Sequence, residues 1–414
     1  MFGTLFLKEC KQILKSMVYY IYVAVFVIFL STQLGGDLVD RIEKPLPDQE
    51  SYGRISSHEP SMVMEKILAE LMQETYRNSY ATYPMGFYKE VRLNQQELDD
   101  VIKIIEDSSG KSWEELMEAM EEHFETYDQS AMEGAMAAQM EYSVPARESL
   151  SYEAFGANME KVCEIVGAGS SYRKEVIAGG VSVPMSYEQA LEEYEALCEK
   201  DRITGAVSRL FCDYAGIILA VLPIFLGVTR CLRDKRAQAS QVVYAHEASA
   251  ACIIGSRYLA NVCMASLPVL ITSFVMQMPY QYHAATMGIS PDYLAFLKYC
   301  LVWLLPELMI VLAVSFFFTE LTESVISIFI QVFWAMASLM GGSMLAGDFS
   351  LKLVARWNTL GRTGEFWSQR QQLFLNRGFY FLLSFVCLIL TVIVYEKKRR
   401  EGETLYGKVF KRRK

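Results

Sequence analysis

AGIILAVLPIFLGV, residues 215–228, carries no charge, and after Thr229 comes RCLRDKRAQASQVVYAHEASAACIIGSRYLA, residues 230–260. With its apolar flank the first stretch approaches the ~20 residues that a bilayer-crossing helix needs. The second opens with Arg230, Arg233, Lys235 and Arg236 against Asp234, and basic residues beside a span mark its cytoplasmic end. The chain then turns apolar again. A polar, helix-capable segment between two spans is therefore expected on the cytoplasmic side, where it offers a surface for a partner to push on.

Working outward, six apolar spans are expected: residues 17–34, 207–229, 257–278, 297–318, 324–346 and 377–395. Charge is segregated between them and the rest. Residues 35–206 hold 15 Lys/Arg and 35 Asp/Glu, a net of −20, whereas the remainder holds 24 and 13, a net of +11. The acidic block is expected to be a soluble extracellular domain, mainly helical. Its residues 61–77, 94–107, 112–127 and 186–200 show helical spacing or helix caps, including Ser112 with Glu115 and Ser186 with Gln189. The fold class expected is an all-α polytopic membrane protein of six transmembrane helices, with this large helical domain between helices 1 and 2.

The tail EKKRREGETLYGKVFKRRK, residues 396–414, has nine basic and three acidic residues and is expected in the cytoplasm. Six spans then place the N-terminus there too, in agreement with Lys8, Lys11 and Lys15. The extracellular loop 347–376 runs against this, because Lys352, Arg356, Arg362, Arg370 and the adjoining Arg377 outnumber its acids. Residues 1–16 place Phe2, Leu5, Phe6 and Ile13 opposite Lys8, Lys11, Gln12 and Lys15, the pattern of an amphipathic helix on the inner membrane surface. Residues 31–36 offer no small-residue cleavage site, so a signal peptide is not expected.

Catalytic signatures are missing where they would be sought. His246-Glu247 would need a second His at Ala250 to bind zinc, and Gly110-Lys111-Ser112 lacks the earlier glycine of a phosphate loop, Ile105 standing in its place. Nine cysteines form no C-x-x-C pair; Cys163 and Cys198 are the two expected outside, and sequence leaves their pairing open. An ionisable residue within a span is a functional candidate by default. Glu307, after Pro306, is the clearest, either lining a substrate path or packing as a hydrogen-bonded carboxyl. Arg209 and Asp213 are four apart on one helix face and are expected to pair; Glu320 and Glu323 are expected as solvated turn residues.

The arrangement resembles the permease subunits of ABC-2 type exporters, particularly bacterial ones of Firmicutes. The likeness rests on the helix before span one, the large insertion after it, residues 230–260, and the closing LNRGFYFLLSFVCLILTVIVYEKKRREG, residues 375–402. It implies a plasma-membrane protein with ATP and magnesium bound by a separate ATP-binding cassette subunit and no cofactor in this chain. It also implies a second permease, identical or not, membrane lipid as a partner, and no nucleic acid. Residues 230–256 become the coupling-helix segment, with Arg233, Arg236, Gln241, Tyr244 and Glu247 as contacts to the ATPase and Val242 and Val243 facing its groove. A receptor that binds ligand through the acidic domain is the alternative. A membrane-embedded enzyme would need more polar residues within the spans than Glu307 supplies.

Overall fold

The computed structural model describes residues 1–35, 42–49, 51–84, 88–126, 141–340 and 349–401, and these are mostly helical. Two compact units emerge: Pro45–Leu191, and a second made of Met1–Lys44 with Glu192–Lys414.

Helix α1, Phe2–Ile13, ends just before Ser16 turns to extended backbone and starts α2, Met17–Leu34, which is uncharged throughout. The smaller unit begins with strand β1, Arg54–Ser57, and helix α3, Pro60–Arg77, which starts on a proline and stops at left-handed Asn78. Strands β2, Tyr80–Thr82, and β3, Lys89–Val91, form an antiparallel ribbon. Helix α4, Gln95–Ser109, opens on a capping box of Asn94 with Glu97 and closes at Gly110. The expected Ser112–Glu115 box starts α5, Trp113–Glu125. Ser151 caps α6, Tyr152–Val166, followed by the single turn α7, Lys174–Ile177. Strand β4, Val181–Pro184, returns antiparallel to β1, and α8, Tyr187–Glu199, leads out.

This unit has its own apolar core, in which Leu68, Met72, Val101, Ile105, Phe155 and Val162 are fully buried. Its extent is narrower than the 35–206 block, because residues 192–206 belong with the apolar helices. The ribbons and α6 were not anticipated. One glycine is required by close approach: Gly169 has φ +86°, and a Cβ there would lie 2.4 Å from the Pro84 nitrogen.

The second unit continues with α9, Thr204–Leu219, and α10, Pro223–Arg236, with Pro223 starting the second segment. A five-residue helix α11, Ser240–Tyr244, precedes α12, Ala250–Thr286. Helix α13, Ala295–Tyr299, runs through a π-helical turn at Cys300–Leu304 into α14, Leu305–Thr322. Helix α15 covers Ile326–Met340, and α16, Thr363–Glu401, is the longest.

Among the described residues five helical stretches are long and apolar enough to cross a membrane: Met17–Leu34, Thr204–Arg236, Ala250–Thr286, Ala295–Thr322 and Thr363–Arg400. The span expected at 324–346 corresponds to the shorter α15, and its residues 341–346 lie outside the described residues. In Ala295–Thr322, 72% of the most apolar window is buried, against 22% in Thr363–Arg400. The former is thus the central helix of the unit, and α16 packs on it while leaving an apolar outer side such as lipid would cover.

Several expected boundaries move. The span placed at 207–229 runs from Thr204 to Arg236 in two segments. The loop placed at 347–376 is helical from Thr363 onward, continuous with the helix expected to start at 377. Among the charges these helices run through, Asp234, Glu365 and Arg377 are ion-paired.

Candidate functional site

The segment between α10 and α12 is built by helix ends. Gln238 adopts φ 54° beyond the last turn of α10, and Ser249 accepts from the Cys252 N–H to start α12. Between them α11 is short and largely exposed. Of the expected contact residues, Arg236, Gln241 and Glu247 are exposed, as is Val242. Arg233 is exposed but donates to Gln12 Oε1 at 2.5 Å. Tyr244 is half-buried: its ring meets Tyr395 edge-on at 5.5 Å, and burial, reinforced by the nearby Glu320 charge, pushes its phenol pKa up.

Arg399, from the last turn of α16, donates to the carbonyl oxygens of Tyr244 at 2.8 Å, His246 at 2.5 Å and Ala248 at 2.6 Å. One guanidinium thus satisfies three backbone acceptors of an irregular segment. Behind it lies an ion-pair network. Glu9 of α1 accepts from Arg230 Nε and Nη2, both at 2.5 Å, and stands 3.7 Å from Arg257. Asp234 joins Arg230 at 3.3 Å and Arg257 at 2.5 Å.

Glu323 pairs with Lys235 at 2.7 Å and Lys398 at 3.1 Å. Burial opposes its ionisation, but the two lysines outweigh that and hold its carboxyl below the ordinary value. Glu320 is buried, 3.6 Å from Lys398, whose Nζ also donates to the Glu320 carbonyl oxygen. Neither glutamate is therefore the solvated turn residue expected. These groups enclose a cavity of about 280 Å³ lined by Asp234, Lys235, Tyr244, Arg257, Glu320 and Lys398 among others.

Two further sites run along the same helices. Glu307 is fully buried and accepts from Arg377 Nη1 at 3.0 Å. Its Oε1, and Nε and Nη2 of Arg377, have no hydrogen-bond partner among the described residues. Gly216 makes room, since a Cβ there would stand 3.3 Å from Glu307 Oε2. Arg377, counted in sequence among the loop charges, is thus a buried partner of Glu307. The expected Arg209–Asp213 pair does not form. Arg209 binds Asp201 and lies 4.5 Å from the Phe366 ring centroid, while Asp213 accepts from Arg356 Nε at 2.9 Å and from the Trp357 N–H. Asp201 also accepts from Thr363 Oγ1 at 2.8 Å and Trp367 Nε1 at 3.0 Å.

Sequence reasoning passed over Glu9, Arg257, Lys398 and Arg399. Glu9 carried a signal: with Phe2, Phe6 and Ile13 it falls on one helical stripe, an acid on an apolar face. Such a residue requires a buried cation. Among the described residues no group of three His, Cys, Asp or Glu stands close enough to hold a metal, and Cys163 and Cys198 are free thiols. No family model, curated protein or solved structure matches this chain.

Proposed function

We propose that this chain is the permease subunit of an ABC-2 type exporter, carrying motion from a separate ATP-binding cassette subunit to a substrate path. In this reading six spans cross the plasma membrane, α15 belonging to the fifth. Both termini are cytoplasmic and the acidic unit is extracellular. ATP and magnesium belong to the cassette subunit, and a second permease completes the path.

The observation that carries the reading is the construction of residues 237–249. Their exposed side chains Gln241, Val242 and Glu247, with Arg236 just before them at the end of α10, stand beside a backbone fixed by Arg399 to the end of α16. The last turns of α10, which lead directly into the segment, are tied to α12 by Asp234 with Arg257 and to α1 by Arg230 with Glu9. Coupling requires both halves of that design. A partner needs accessible side chains, and force reaches the spans only if the segment moves with them.

The test is affinity capture of the tagged full-length chain from membranes, followed by mass spectrometry. Recovery of an ATP-binding cassette subunit is expected, lost in a Gln241→Glu, Glu247→Lys variant. Arg399→Ala is expected to retain the subunit while lowering the ATPase rate that substrate stimulates. A chain that captures no cassette subunit, or captures it equally well with residues 237–249 replaced by a glycine-serine loop, refutes the reading.

A further inference from the structure

A second cleft, of about 300 Å³, opens where α1 hands over to α2 beside α10 and α12. Its size is at the lower end of small-ligand clefts. The apolar side is Ile13, Val18 and Leu226, and the polar side is Lys15, Arg230, Arg233 and Asn261. It sits at the start of the apolar helix Met17–Leu34, where a bilayer's headgroup layer meets its hydrocarbon.

The charges are not equivalent. Arg230 is engaged by Glu9 and Asp234, whereas Lys15 and Arg233 are exposed, Arg233 spending its Nη1 on the neutral Gln12 side chain and keeping its charge uncompensated by it. The cleft therefore presents surplus positive charge, and a cationic headgroup would be repelled. Asn261 is 99% buried; its Nδ2 donates to the Arg257 carbonyl oxygen at 2.8 Å, and its Oδ1 has no partner among the described residues. A buried amide oxygen left without a donor is costly, so a ligand that reaches it from this cleft gains by bringing one. Because an ammonium is disfavoured beside the arginines, that donor is a hydroxyl.

We propose that this cleft binds the headgroup of an anionic phospholipid whose phosphodiester carries a hydroxylated head, the chemistry of phosphatidylglycerol. The phosphate is held by Lys15 and Arg233, a head hydroxyl donates to Asn261 Oδ1, and the acyl chains leave over Ile13, Val18 and Leu226. The site binds α1 and α10 through one lipid and thereby makes the docking of α1 sensitive to the membrane's anionic lipid content. It depends on the chain being embedded in a bilayer but not on the identity of any protein partner.

The test uses the full-length chain in a neutral maltoside detergent, with bound lipid counted by native mass spectrometry. Phosphatidylglycerol, phosphatidic acid and phosphatidylcholine of identical acyl chains are titrated, with sn-glycerol 3-phosphate as a soluble competitor. Phosphatidylglycerol is expected to bind best and phosphatidylcholine least. Lys15→Gln is expected to weaken phosphatidylglycerol about fivefold, the effect of removing one basic side chain near an anionic surface. Asn261→Leu is expected to abolish the preference for phosphatidylglycerol over phosphatidic acid while leaving the charge dependence. Should that variant not fold, Asn261→Asp keeps the side-chain volume and is expected to weaken both anionic lipids. Equal affinity for phosphatidylcholine, or indifference to both Lys15→Gln and the Asn261 variant, overturns the proposal. So does displacement of the lipid by glycerol 3-phosphate at equal concentration, which would mark a site for a soluble phosphate ester.

Discussion

Replacing Glu9 with alanine should release α1 from the other helices. The carboxylate accepts two charge-assisted hydrogen bonds from Arg230 and lies near Arg257, and the pair side chains are only 10% and 6% exposed. Deleting one member of a buried pair costs about 3–5 kcal/mol, because the other charge remains desolvated. Here Asp234 stays behind as a counter-ion for both arginines, so the lower end applies, about 3 kcal/mol. Each 1.4 kcal/mol being tenfold, α1 should detach roughly 150-fold more often. Cys10 reports the event. It is half-buried on α1, and its thiol pKa is raised first by burial and then by Cys263, so it reacts slowly while α1 is docked. Maleimide labelling of Cys10, in a background where the other cysteines are serine or alanine, should accelerate strongly in Glu9→Ala. Adding Arg230→Met, which removes the stranded charge, should restore much of the slow rate. Labelling within twofold of the parent, or no recovery in the double variant, would refute the view that this ion pair docks α1.

Three further outcomes follow from packing and charge. Gly227→Ala places a Cβ 2.3 Å from Ser315 Oγ and 2.8 Å from its Cβ, so α10 and α14 must separate, at a cost of about 1–3 kcal/mol in thermal or SDS unfolding; Gly227→Ala with Ser315→Gly should recover most of it. Glu307→Ala strands Arg377 in the interior and should destabilise by about 3–5 kcal/mol, whereas Glu307→Leu with Arg377→Met should be near neutral for folding. If that double variant folds but no longer supports transport, Glu307 serves the path and not packing alone. In the smaller unit, burial raises the Glu74 carboxyl pKa, against bonds from Tyr172 Oη at 2.6 Å and the Ala81 N–H at 2.9 Å. The folded state then binds more protons than the unfolded one, so Glu74's contribution weakens as pH rises from the ordinary carboxylate value through the raised one. Proteolysis of this unit between pH 4 and 8 should show that dependence in the parent and lose it in Glu74→Gln.

Features of the fold that local chemistry specifies could be read from the sequence. Ser112 and Glu115 start a helix as expected because both partners of the cap lie within one turn. The uncharged run 17–34 is a helix of the same bounds. Helix ends in the apolar unit were less legible, and for one reason. A span read from composition stops at its first charge, yet α12 begins before Arg257, α10 runs past Asp234, and α16 begins well before Arg377. Each of those charges is neutralised by a partner on another helix, so nothing forces the helix to end. The results are long elements: 39 residues of α16 extend roughly 58 Å, against a hydrocarbon layer of about 30 Å. Pairing partners were illegible for the same cause. Arg209 and Asp213 satisfy the i,i+4 rule, but such pairs contribute only about 0.2–0.5 kcal/mol, too little to hold two residues that burial forces toward better-placed partners at Asp201 and Arg356.

The same distinction bears on orientation, the weakest point of the sequence reading. Five basic residues between 347 and 377 stood against an outside placement of that stretch. Arg377 is now inside an apolar helix against Glu307, Arg356 lies against the buried Asp213, and Arg362 pairs with Glu365. Arg377 therefore drops out of the flank altogether, and Arg356 is required by an acid that would otherwise be buried unpaired. The basic residues at the other end serve a different geometry. Lys235, Lys398 and Arg399 meet around residues 237–249 and next to Glu320 and Glu323 at the end of α14, gathering the ends of α10, α14 and α16 on one side. In the proposed topology that side is the cytoplasmic one, which a basic excess at the helix ends favours. A reporter fused after residue 401 and another inserted at 358 should accordingly score on opposite sides of the membrane. If both score on one side, the span count is wrong, and the coupling segment loses its compartment along with its role.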